Sequence, residues 1–162
     1  MNVTNLVLGI VILGLLIWRQ LVARPVREGY RVPLILAVIG VIELISFLKG
    51  KHVNGTLVAG LAGSLVLAAI FGAARAAVTR VWIQDGRAWR RGGWLAAVLW
   101  VLALAAHLGY DQLVYKHGAL GEVTILLYLA ISLLVQGMIL QARAQRLPEA
   151  QDRFMQEPVG PR

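Results

Sequence analysis

The chemistry in this sequence begins with an acidic side chain set inside an apolar run. Glu43 lies within the run from Val32 to Leu48. At helical rise it sits about 9 Å inside the end of that run. A carboxyl at such a place costs roughly 2.5–3.5 kcal/mol on insertion scales, and by default it marks a function with a partner. Three uses stay open: a protonated carboxyl tying helices together, a group that handles a proton or substrate, or a contact to a cofactor or another protein. His107, in the run from Trp94 to Tyr110, stands at a similar depth and is the natural partner. Ser46 is one turn outward from Glu43 on the same face. Gln136 is polar too but lies deeper, toward the opposite side.

His52, His107 and His117 all fall at or near one face of the expected bundle, with Asp111 one turn beyond His107. Imidazoles with a carboxylate can take zinc, copper or haem. The spacing matches no compact ligand motif, so the expectation is no cofactor and no metal. There is no Gly-rich phosphate loop, nucleophile elbow, His-Glu-x-x-His or pair of carboxylates at enzyme spacing. The chain also lacks cysteine, which removes disulfides, thiol catalysis and Cys-ligated zinc. The reading is therefore non-enzymatic.

The elements that must position these residues follow from composition. Apolar residues make up 59% of the 162 positions and the mean hydropathy is +0.72. Ordinary soluble domains are about 45–50% apolar. A chain this short has too little interior for the excess, so lipid must solvate it. A bilayer core needs about 20 residues of helix. Five runs approach this length: 3–18, 32–48, 55–74, 94–110 and 123–140. The first ends in Trp18-Arg19-Gln20 without a small-x-small cleavage site, so it reads as a retained helix.

The net charge of +8 is a topology signal and does not point to nucleic acid. Thirteen arginines fall in the first and third connections and the tail, against Lys49, Lys51 and Lys116 on the other side. The positive-inside rule puts the N-terminus outside and the C-terminus in the cytoplasm. The expected fold is thus an all-α membrane protein, a bundle of five transmembrane helices over residues 1–146, in the plasma membrane. Its partners would be the bilayer and either another membrane protein or a second copy.

Three local features add to this. Gly60, Gly63 and Ser64 give the third helix a small face suited to close packing. The third connection carries Val81-Trp82-Ile83-Gln84-Asp85-Gly86-Arg87-Ala88-Trp89. Asp-Gly between alternating apolar residues predicts a cytoplasmic β-hairpin with Trp82 opposite Trp89; the bland alternative is a frayed helix, a tight turn and coil. After a short helical overrun to Arg146, the polar tail 147–162 is expected to be disordered.

The stretch Arg24-Pro25-Val26-Arg27-Glu28-Gly29-Tyr30-Arg31-Val32-Pro33, followed by Gly40, resembles the CcdC-like family of small bacterial membrane proteins. That family takes its name from genes associated with cytochrome c biogenesis. The resemblance implies a polytopic bacterial plasma-membrane protein and carries over no catalytic or binding residue. Three functions then compete: an accessory or assembly protein, a small transporter or channel component using Glu43, and a haem or metal protein using the outer histidines.

Overall fold

The computed structural model describes residues 14, 18, 22–26, 30–49, 55–85, 87–114 and 119–156. These form four helices: α1 (Arg31–Leu48), α2 (Gly55–Val78), α3 (Trp94–Val114) and α4 (Ala119–Gln156). All four are long and apolar enough to cross a bilayer. The expected first helix, 3–18, falls outside the described residues apart from Gly14 and Trp18, which are helical. A fifth spanning helix is therefore not among the described residues.

Lipid tails are as apolar as the helices, so close packing and hydrogen bonds must hold such a bundle together. The sequence supplies both at every fourth residue. Along α2 the buried face is Gly60, Ser64, Ala68, Gly72 and Ala76. Along α4 it is Thr124, Tyr128, Ser132, Gln136 and Leu140. Residues four apart stack on one face, so a smooth stripe meets a polar ladder. The fit is tightest where a methyl on Gly72 would lie 2.5 Å from the Ser132 carbonyl oxygen. On the other flank of α4, a methyl on Gly40 of α1 would lie 2.8 Å from the Leu127 nitrogen. Thus α4 stands between α1 and α2, while α3 packs chiefly on α2. Ala68, Ala103 and Tyr128 form the core where α2, α3 and α4 meet, flanked by Leu67, Phe71 and Ile131.

At one end lies a small antiparallel sheet of β1 (Arg24–Pro25), β2 (Arg80–Gln84) and β3 (Arg87–Arg91), in the order β1-β3-β2. The predicted hairpin is there. Gln84 pairs with Arg87, leaving Asp85-Gly86 as a two-residue connection, and Trp82 faces Trp89. Asp85 has φ 51°, the positive value that a type I′ turn requires. The third strand is an addition that sequence reasoning missed. Arg24 pairs with Arg90 and Pro25 with Trp89, and the Val26 N–H donates to the Ala88 carbonyl at 2.8 Å. This pairing puts the first and third connections at the same end of the bundle. The α4 end joins them there, because Arg143 Nη1 donates to the carbonyls of Ala76 (2.6 Å) and Thr79 (3.0 Å). Those carbonyls close α2, and Arg143 adds to the bond that the Ala76 carbonyl accepts from the Thr79 N–H at 3.3 Å. The three arginine-rich segments therefore share one basic end.

Two helices run past the apolar runs 55–74 and 94–110, the first of them through the Ala-rich stretch 73–79 that the sequence already lets continue as helix. Helix α2 reaches Val78 and α3 reaches Val114. Helix α4 passes the expected end at Arg146 and continues through Pro148 to Gln156, while residues 157–162 lie outside the described residues. The residues after Pro148 include Glu149, Ala150, Gln151, Arg153 and Met155, all good helix formers.

The Gly72 contact is open to test by thermal unfolding in detergent. Gly72→Leu should destabilise the protein by about 1–3 kcal/mol, because α2 and α4 must separate around the added side chain. Gly109→Ala, where nothing stands within 4 Å of the added carbon, should be neutral or stabilise by up to about 1 kcal/mol through helix propensity.

Candidate functional site

The expected pair of Glu43 and His107 does not form. The inward stripe of α1 runs through Pro33, Leu36, Ala37, Gly40, Leu44 and Phe47. Glu43 and Ser46 lie beside that stripe and are exposed. Helix α1 makes its helix contacts with α4, whereas His107 belongs to α3 and packs against α2 and α4. The expectation that Glu43 faces the bundle interior, to tie helices together or to handle a proton, is thereby corrected. Depth along a helix is readable from sequence, but the direction a residue faces depends on which flank finds a neighbour.

The polar interior lies between α2, α3 and α4. His107 is 1% exposed. Its Nδ1 is 3.2 Å from the Ser64 hydroxyl, and its ring centroid is 4.4 Å from that of Tyr128 at a tilt of 33°. The Tyr128 hydroxyl donates to the Ala103 carbonyl at 3.0 Å. Asp111, one turn along α3, is buried as well. These groups tie the three helices together in the half of the bundle away from the basic end.

Arg75 occupies the other half. From sequence it falls among the arginines of the third connection. It lies in the last turn of α2 and is 0% exposed. Helical side chains lean toward the N-terminus of their own helix, and α2 runs toward the basic end. The guanidinium therefore reaches back into the bundle. There Nη2 donates to the Ser132 hydroxyl at 2.5 Å, and the guanidinium carbon lies 3.9 Å from the Trp100 ring centroid. That stacking is a cation–π contact, worth about 2 kcal/mol when desolvated. Arg75 Nε and Nη1 have no hydrogen-bond partner among the described residues, and neither does Trp100 Nε1.

Of the other expected site residues, Gln136 is buried on the α4 ladder one turn from Ser132. Gly60 and Ser64 are on the buried stripe of α2. Gly63 faces α3, where a methyl would overlap the Tyr110 hydroxyl. His52, His117 and Gly86 lie outside the described residues. Among the described residues no three His, Asp or Glu side chains converge as a metal site would need. Asp85 is exposed at the hairpin tip, and Trp82 donates to the Gln84 side chain at 3.4 Å.

Sequence reasoning missed Arg75, Trp100, Tyr128 and Ser132 as members of one cluster. A signal for α4 was there: Thr124, Tyr128, Ser132 and Gln136 recur at intervals of four in an otherwise apolar run. No comparable signal marked Arg75, since arginine near a helix end also serves topology.

Two stability measurements follow from this geometry. Ser132→Ala removes the acceptor of a buried cation and should cost about 1.5–3 kcal/mol. Ser64→Ala loses a neutral interhelical bond and should cost only about 0.6 kcal/mol. Unfolding in detergent should rank them in that order. Glu43→Leu is expected to raise the yield of folded, inserted protein, because it relieves an acidic group on an exposed flank of an apolar helix, by about 1–3 kcal/mol of insertion free energy. A loss of folded protein would mean that the carboxyl is held by a partner in the native membrane.

Comparison of the chain with known protein families, with characterised proteins and with solved structures finds no match.

Proposed function

We propose that this chain is a non-enzymatic accessory or assembly protein of the plasma membrane. In this reading it crosses the bilayer five times, counting residues 3–18, with its N-terminus outside and its basic end in the cytoplasm. The observation that carries the reading is the stitched sheet. An isolated hairpin is marginally stable in water. Here β1, from a different connection, completes it, and β2 packs against α4. Gln84, Asp85 and Arg87 are exposed at its tip. A connection that served topology alone would need arginines but no such anchored surface. The likeness of residues 24–40 to the CcdC-like family accords with this placement and assigns no activity.

A second reading, a small transporter or channel component, no longer draws on Glu43. It draws on the buried ladder of Thr124, Tyr128, Ser132 and Gln136, which gives α4 a polar line along the bundle where lipid-solvated helices are usually apolar.

Topology reporters and crosslinking test the first reading together. Reporters at Asp85-Gly86 and after Arg146 should be active in the cytoplasm, and one at His117 should report the outside. A photoreactive residue at Arg87 should then give a discrete protein adduct in native membranes, while one at exposed Val66 of α2 gives lipid adducts. An exterior signal at Asp85 would overturn the topology. Lipid adducts alone from Arg87 would overturn the docking role.

A further inference from the structure

We propose that Arg75, Trp100 and Ser132 hold a small monovalent inorganic anion, of the halide class, between α2, α3 and α4. The inference goes beyond the accessory reading, since it concerns the interior and not the sheet.

The reasoning starts from what is unmet at this place. Arg75 is wholly buried, and among the described residues no carboxylate pairs with it. A cation in a bundle of this kind is expensive unless it is both paired and hydrogen-bonded. Ser132 accepts one of its bonds and the Trp100 face attracts the positive charge, yet neither supplies a negative charge. The atoms left unsatisfied are Arg75 Nε, Arg75 Nη1 and Trp100 Nε1. All three are donors. They belong to two groups in direct contact, the guanidinium carbon lying 3.9 Å from the indole centroid, so the unmet donors are close neighbours.

A locus made only of donors, with a fixed positive charge, calls for an acceptor that is negative. Water could accept some of these bonds but leaves the charge uncompensated. One guanidinium matches one negative charge. The enclosure by three helices, tight where Gly72 meets Ser132, favours a small ion over an organic acid. The guanidinium carbon sits over the Trp100 ring, and the N–H groups of Nε and Nη1 remain for the ion. Ser132 fixes Nη2, so Nε and Nη1 are held in position before the ion arrives, and such preorganisation favours binding.

The probe is sodium bromide titrated against sodium gluconate at constant ionic strength, with the full chain in nanodiscs and thermal unfolding as the readout. A ligand that binds the folded state alone raises the unfolding temperature saturably. The wild type should show such a rise with bromide and none with gluconate. Trp100→Phe keeps the ring and removes one donor, so its half-saturating concentration should increase about tenfold. Arg75→Gln should abolish the bromide dependence. If Arg75→Gln fails to fold, the Trp100→Phe shift decides the matter. A wild type whose unfolding is indifferent to bromide, or a Trp100→Phe variant with an unchanged midpoint, overturns the proposal.

Discussion

The close approach of α2 and α4 is the constraint on which the remaining geometry depends. At Gly72 the two backbones meet so nearly that no side chain fits between them. This contact sets the register of the two helices. It brings the stripe Gly60, Ser64, Ala68, Gly72, Ala76 onto the ladder Thr124, Tyr128, Ser132, Gln136. Because Ser132 lies at the contact, its hydroxyl is within reach of an arginine that starts one turn further along α2. Because α3 packs on the same two helices, Trp100 supplies the face that receives the guanidinium, and His107 meets Ser64 and Tyr128.

Polar groups in the interior serve specificity as well as cohesion. An apolar helix in lipid has little to choose between its rotational settings, since every face is equally solvated. A hydrogen bond such as Ser64 to His107 contributes only about 0.6 kcal/mol on average, but it is made in one setting alone. Arg143 adds the same kind of selection at the basic end by closing α2 from α4. The Tyr30 hydroxyl, hydrogen-bonded to the Gln141 side chain, does so for the start of α1.

The sheet extends that order beyond the bundle. Its three strands come from two connections that are far apart in sequence, and its arginines face each other across strands at Arg24 and Arg90 and at Arg80 and Arg91. Like charges directly opposite are unfavourable, so the pairing of these strands rests on the backbone ladder and the Trp82–Trp89 pair. Its position at the end where α2 leaves and α3 enters ties it to the bundle on both sides.

The sequence by itself determined the four described helices that are long and apolar enough to span a bilayer, the asymmetry of charge and the hairpin. Each of these rests on local information: run length against bilayer thickness, arginine counts between runs, and an Asp-Gly turn whose φ preference is set within two residues. The tertiary structure alone decided which polar residues meet. Glu43 and His107 share a depth, and depth is legible, but the lateral neighbours of a helix that is apolar all round are not. Those neighbours were chosen by small residues, Gly40 against Leu127 and Gly72 against Ser132. Their choice left Glu43 outside and drew in Arg75, a residue that read as a loop charge until the packing of α2 and α4 enclosed it.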